Sequence, residues 1–576
     1  MDDVIHKLIV DAGEYKALKE LLLTPNMVLL MGILVLCGLL YLLEDRFGKN
    51  DKLATARFAS NKEREHARRE CLKQMIARKH NEVGLTIGTP TSRNDRKRVY
   101  IPDSQRSILG VGGPGTGKSF SFIDPVLLST LQQGFPTILY DFKYASQAKL
   151  AAYAASLGYE VHIFAPGYPE SGVINPLQFL RSPSDTESSR QLITLMNKNL
   201  RVLTNSAANR FFDTGGDQIG EGVLCLARAT EYPDLLMTQT ILGLPQLVER
   251  LAAAEHINPW VKKSFSQLLS VQKAPETVSG LLASASEVFS RMMKSNLLAT
   301  FCGESSIPLD LNDKQLIIFG MDRVRRDVVA PVTAAIINML ITLNVARTRE
   351  LPLCVFLDEL PTLVLPSLAQ MINENRSDGL VCVAGIQSFP QLEKTYGREL
   401  ARVIWAGFGH KIIFNPQDGT TAEEISKFLG NKEIRYKQRS RSYGHKSGRS
   451  RSVSEQRQTQ PLISASDLLK MKTGECVIIS PGFANKKEAY LPLKTKIKIP
   501  KHDQKIATLS KKIWPSIQQE LVARSQARPP TEADVIARQR VAERLLPLPE
   551  EAATQHEHQG ADYFQEQVRE RLKGWL

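Results

Sequence analysis

One octapeptide constrains this chain more than any other stretch: Gly112-Gly113-Pro114-Gly115-Thr116-Gly117-Lys118-Ser119, which fits the pattern G-x-x-x-x-G-K-[ST]. It sits between a short apolar run, residues 107–111, and a stretch with helical periodicity. In that setting glycines let the backbone curl, so that successive N–H groups and the helix N-terminus converge on one anionic group. The chain must therefore build a strand, a tight loop and a helix in that order, the local unit of an α/β sheet. Gly112, Gly113, Gly115, Thr116, Gly117, Lys118, Ser119 and Phe120 are the candidate nucleotide-binding residues. Lys118 would neutralise the β- and γ-phosphates of ATP, and the Ser119 hydroxyl would ligate Mg²⁺.

A phosphate cradle that also hydrolyses needs a carboxylate for the metal and a second one to activate water. The stretch "LCVFLDEL" offers both after a run of apolar residues, Asp358 as the metal ligand and Glu359 as the base. The next apolar run ends in "AGIQSFPQL", which puts Gln387 at a strand end where an amide would sense the γ-phosphate or orient the attacking water. Phosphoryl transfer gains further from a cation, often supplied by a neighbouring subunit. Arg376 in "NENRSDG" and Arg106 ahead of the phosphate-loop strand are the candidates, each equally readable as a solvated loop arginine. Asp141 and Lys143 in "LYDFKYAS" fall at another strand end, as ligands or as structural caps.

The remaining organisation follows from texture. Apolar runs "TILYDF", "EVHIFAP", "QLIIFGM", "LVCVAGI" and "HKIIF" alternate with helical stretches, which predicts a parallel sheet with crossover helices. Residues 178–306 interrupt it with helical periodicity alone; Leu192, Leu195, Met196, Leu200 and Leu203 share one face. The nucleotide-binding domain is thus expected in two parts, 97–177 and 307–500, around an all-α domain at 178–306. Residues 431–460 form a basic Ser/Arg-rich tract, expected as a protrusion or hairpin, and 501–576 a polar tail read as a linker with one helix. Residues 27–43 are uncharged and span about 25 Å as a helix, which predicts a transmembrane anchor after a non-cytoplasmic segment, 1–26. Lys7, Lys16 and Lys19 precede it and a denser group from Arg46 to Arg69 follows, so the bulk of the chain is expected in the cytoplasm. The charged stretch 44–96 reads as a solvated juxtamembrane helix. Seven scattered cysteines with no C-x-x-C pair argue against a disulfide framework or a zinc site. The net charge of +14 favours a polyanionic partner, nucleic acid or anionic lipid.

Taken in order, the anchor, "ATARFAS", the phosphate loop, "YDFK", "LGYEVHIFAPGYPESGVINPLQF", the helical insertion, "FLDELPTL" and "GIQSFPQLEKTYG" resemble the type IV secretion coupling proteins of the TraG/TraD group, across residues 55–500. The resemblance implies a RecA-like P-loop NTPase domain carrying an all-α domain, with an N-terminal transmembrane helix in the inner membrane. It implies a hexameric ATPase that recruits a relaxase bound to single-stranded DNA, or a protein effector, and delivers it to the type IV secretion channel. Lys118, Ser119, Asp358, Glu359 and Gln387 match the family's nucleotide site, Arg376 its arginine ahead of the glutamine strand, and Arg106 the one before the phosphate-loop strand. Many members carry two anchor helices, whereas one is found here. A coupler for proteins only, a ring in which nucleotide merely cements the subunits, and an FtsK- or HerA-like translocase are the alternatives.

Overall fold

The structure is a computed structural model that describes residues 33, 36, 54–88, 98–204, 209–442, 450–485 and 488–549. The expected anchor at 27–43 lies outside the described residues, apart from Ile33 and Leu36, which are helical and exposed. So do residues 1–26 and the end of the tail from 550 onwards. The chain divides into two contact units: residues 58–424 with 465–576, and residues 1–57 with 425–464.

Its strands in chain order are β1 (Leu85–Ile87), β2 (Val99–Ile101), β3 (Ile108–Val111), β4 (Thr137–Asp141), β5 (Glu160–Phe164), β6 (Gln315–Gly320), β7 (Leu353–Leu357), β8 (Leu380–Ile386), β9 (His410–Ile413), β10 (Asn431–Ser442), β11 (Ser450–Pro461), β12 (Glu475–Ser480) and β13 (Leu491–Lys496). Nine of them form one mixed sheet in the order β13-β12-β9-β3-β8-β7-β4-β6-β5. The seven from β9 to β5 are parallel. Because helices cover both faces of such strands, they read as unbroken apolar runs; β3, β4, β7 and β8 are buried at every residue. β12 and β13 add on antiparallel beyond β9. These two were absent from the sequence reading, since "LPLKTK" alternates with charge at a sheet edge.

β3 is flanked by β8 and β9, while the next strand in the chain, β4, lies beyond β7. The connection from β3 to β4 thus runs to one side of β3 while that from β8 to β9 runs to the other, and this change of direction opens a crevice at the carboxyl ends of the strands, the place where α/β sheets take ligands.

Between β5 and β6 the described residues hold helices and no strand, from Thr186–Thr204 to Ser295–Leu298. Leu192, Leu195, Met196 and Leu200 are buried on one face of the first helix. Helix Arg210–Arg228 presents glycines to its neighbours: a Cβ on Gly222 would come 2.4 Å from the Phe265 ring and one on Gly220 2.6 Å from Ile193. Helix Arg326–Val345 is long and apolar enough to cross a bilayer, yet it is mostly buried and packs on Thr186–Thr204 as a core helix.

Two expectations need correcting. Helix Asn61–Ala77, read as solvated, buries Glu63, Ala67, Cys71 and Gln74 against β2 and the turn Pro481–Phe483. The four lie on one face at helical spacing, and charge on the other faces masked them. The tail is not a linker with one helix: Lys501–Arg524 buries Trp514 and Leu521 beside Ala151–Ser156, and Glu532–Leu545 docks on Leu235–Leu242. Arg538 there pairs with buried Asp234 at 2.5 Å.

In the smaller unit β10 and β11 pair antiparallel from Asn431↔Pro461 to Ser442↔Ser450, a hairpin ribbon. Thr55 bridges to Lys432 at its root.

Candidate nucleotide site

The loop after β3 closes over its own backbone. Gly115 and Gly117 have φ of +75° and +94°, which L side chains resist. Gly112 N donates to Ile386 O at 3.1 Å and Gly113 N to Asn415 O at 2.9 Å, so the neighbouring strand ends hold its first half. Thr116 Oγ1 donates to Gly113 O at 2.8 Å, and Gly474 N to Thr116 O at 3.1 Å. A π-turn, Ser119–Ile123, then opens helix Asp124–Gln132. Such turns often mark functional sites. Phe120, in this turn, is 58% exposed.

The carboxylates arrive from β7. Asp358 accepts from Ser119 Oγ at 3.2 Å, and Glu359 Oε2 lies 3.4 Å from Lys118 Nζ. Gln387, just past β8, donates its Nε2 to the same Glu359 oxygen at 3.0 Å. Lys118, Asp358 and Glu359 are all buried. The chain turn that holds Glu359 is itself pinned: Thr362 Oγ1 donates to Glu359 O at 2.6 Å and meets Tyr140 Oη at 2.9 Å, and Arg326 donates to Thr362 O at 3.2 Å. Strands β7 and β8 approach so closely here that a Cβ on Gly385 would sit 2.2 Å from Asp358 O.

Asp141 accepts from Gln147 N at 2.8 Å, Ala148 N at 3.0 Å and Ser146 Oγ at 3.1 Å, so it caps the turn after β4. Lys143 is exposed beside it. Burial, with Asp358 and Asp141 nearby, pushes the Asp124 carboxyl up to about 7. Arg106 and Arg376 are not brought into this site by their own chain. Arg106 precedes β3 and Arg376 precedes β8, so both stand at the edge opposite the loop; Arg376 is exposed and the Arg106 carbonyl accepts from Gly409 N at 2.7 Å. Sequence reasoning missed Asp124, Asn415, Thr362 and Gly474. Only Thr362 carried a signal, in the "DELPT" stretch beside the acidic pair.

The donor set suits a magnesium-bound nucleoside triphosphate. Glu359 Oε1 is buried without a hydrogen-bond partner among the described residues, an acceptor left over for a ligand or water. A hydroxyl and a carboxylate oxygen already within 3.2 Å of each other form the pair of hard ligands that Mg²⁺ takes.

Fold and site together define a RecA-like α/β domain with a phosphate loop and an acidic strand end. A family profile described as the type IV secretion-system coupling protein DNA-binding domain matches residues 235–489. The conjugal transfer protein TraG of Rhizobium radiobacter is 28% identical over 293 residues, 48% of this chain and 45% of that protein. The coupling protein TraD of Escherichia coli (strain K12) is 32% identical over 142 residues, 24% of this chain and 20% of that one. The matched region therefore spans less than half the length of these relatives. Among solved structures, the plasmid coupling protein TrwB in complex with the ATP analogue ADPNP is similar with a TM-score of 0.50 and 19% identity, over 73% of this chain and 94% of that one, a likeness of fold. Over these regions the chain is similar to the type IV secretion coupling proteins TraG and TraD.

Proposed function

We propose that this chain is an inner-membrane coupling ATPase of conjugation, which uses hydrolysis of Mg²⁺–ATP to deliver single-stranded DNA with its relaxase to the type IV secretion channel. The observation that carries the reading is the buried Lys118–Glu359–Gln387 array beside the Ser119–Asp358 pair. Ser119 and Asp358 would hold Mg²⁺, which supplies positive charge to the β- and γ-phosphates. Lys118 would leave Glu359 for the same phosphates, and backbone N–H groups of Gly115, Thr116 and Gly117 would cradle them. Glu359, released from Lys118, would take the proton of the attacking water at Oε1, with Gln387 orienting that water.

Arg376 and Arg106 stand away from their own site, which supports a ring, hexameric as the resemblance to the coupling proteins implies, where a neighbour's arginine completes each site. Residues 27–43 would anchor the ring. The family profile's DNA-binding description and the net charge of +14 support nucleic acid as the cargo.

The test is ATP hydrolysis by the full chain against protein concentration, with and without single-stranded DNA, at two salt concentrations. Cooperative activity, stimulated by DNA at low salt only and lost in Lys118→Ala, is expected. Hydrolysis indifferent to DNA would point to a coupler for proteins only.

A further inference from the structure

The groups placed for a terminal phosphate all lie on one side of the phosphate loop. Lys118 Nζ, Glu359 and Gln387 gather at the ends of β7 and β8. A triphosphate laid in the loop with its γ end there must run its other end across β3, towards β9 and β12, because β3 separates the two pairs of strands.

On that far side a wall is already built. Residues 471–474, the turn that leads into β12, are sewn to the loop by the Gly474 N to Thr116 O bond of 3.1 Å. A Cβ on Gly117 would come 3.3 Å from Thr473 Cγ2 and 3.4 Å from Gly474 N, so the turn abuts the start of the helix. Asn415, just past β9, ties the same segment down by donating to Leu469 O at 2.7 Å and Met471 O at 3.2 Å. Gln417, held at φ +53°, donates to Pro114 O at 3.2 Å and closes the loop's flank.

Phe120 directly precedes Ser121, whose Oγ would lie 3.7 Å from a Cβ on Gly474 of this wall. Ser121, Phe122 and Ile123 of the same turn are buried, yet Phe120 is 58% exposed. Thr473, beside Gly117 in the wall, is also exposed. An aromatic face left in water next to a phosphate cradle is a stacking platform for a planar base.

We infer that the base and ribose of the bound nucleotide rest on the Phe120 ring and against residues 471–474, so that the β12 extension of the sheet builds the nucleoside half of the site. This rests on the reading of the loop as a nucleotide site. It assigns a role to a part of the sheet that carries none of the phosphate-handling residues.

The test compares two ligands on the full chain with Mg²⁺: a non-hydrolysable ATP analogue and inorganic tripolyphosphate. Phe120→Ala should weaken the analogue roughly tenfold, the scale of one lost base–aromatic stack, and leave tripolyphosphate unchanged. Phe120→Trp should keep both affinities and gain emission that the analogue quenches and tripolyphosphate does not. Equal loss of both ligands in Phe120→Ala, no loss of either, or emission from Phe120→Trp indifferent to the analogue, would each overturn the inference. If the unsubstituted chain binds neither ligand, or Lys118→Ala binds both as tightly as it does, the nucleotide reading beneath it falls instead.

Discussion

Gly385 is the point where packing and chemistry are most tightly joined. It lies in β8 opposite Gly110 of β3, while β7 passes on its other side. A Cβ there would sit 2.2 Å from Asp358 O, against the 3.0 Å below which real Cβ contacts do not occur, so the strands must part by about 0.8 Å, that is 3.0 less 2.2. Neither side yields easily. β3 cannot absorb the movement, because a Cβ on Gly110 would itself be only 2.5 Å from the Phe122 ring, so that strand is already packed to its backbone. The displacement therefore falls on the Asp358 backbone, and with it on the carboxylate Oδ1 that Ser119 Oγ meets at 3.2 Å. Overpacking of this kind costs about 1–3 kcal/mol of stability. A shift approaching 1 Å in a metal ligand costs roughly 100-fold in turnover. Gly385→Ala should thus remain folded by circular dichroism, melt several degrees lower, and lose about two orders of magnitude in kcat for ATP. Gly419→Ala, where a Cβ would meet nothing within 4 Å, is the control and should match the unsubstituted chain. A Gly385→Ala protein that hydrolyses ATP at the normal rate would refute the claim that this contact sets the geometry of the acidic strand end.

Other expectations follow from the same structure. Glu359→Gln should bind nucleotide normally but hydrolyse it about 10²- to 10⁴-fold more slowly, measured as single-turnover phosphate release; an unchanged rate would remove Glu359 as the base. Burial lowers His410 from 6.5 to about 4, its ring held between Asp103 O and Ser480 Oγ at 3.0 Å each. A depressed histidine contributes stability above pH 6.5 that is lost as pH falls through 4, on the order of a few kcal/mol. Urea titrations of His410→Gln should therefore show a shallower loss of stability than the unsubstituted chain between these pH values, and an identical slope would contradict the assignment. Arg538→Ala leaves Asp234, 1% exposed, without its cation. Loss of such a buried partner costs about 3–5 kcal/mol, to be seen as early proteolysis of the Glu532–Leu545 helix; resistance equal to the unsubstituted chain would rule the pair out as its anchor.

The parallel strands were legible because burial on both faces leaves no room for polar residues, as in "TILYD" and "LVCVAGI". The phosphate loop and acidic pair were legible because their chemistry dictates residue type at fixed spacing. What escaped depends on partners remote in sequence. Helix Lys501–Arg524 buries only Asp503, Ser510, Trp514 and Leu521, too sparse a face to announce a docked helix. Asn415 and Gly474 support the loop through backbone groups or one amide, which carry no composition signal. Asp124 is set among the other carboxylates by the π-turn, whose extra residue shifts the helical register.

The long excursion between β5 and β6 has a consequence for how such a chain can vary. Those two strands are hydrogen-bonded neighbours at the edge of the sheet, farthest from the phosphate loop. Everything from 165 to 314 is therefore one crossover connection, and the closure entropy of a connection rises only with the logarithm of its length. Lengthening, shortening or replacing the helices leaves the register of the seven parallel strands intact. Cargo recognition housed there would be free to diversify while the nucleotide machinery stays fixed, like an exchangeable tool head on an unchanged motor.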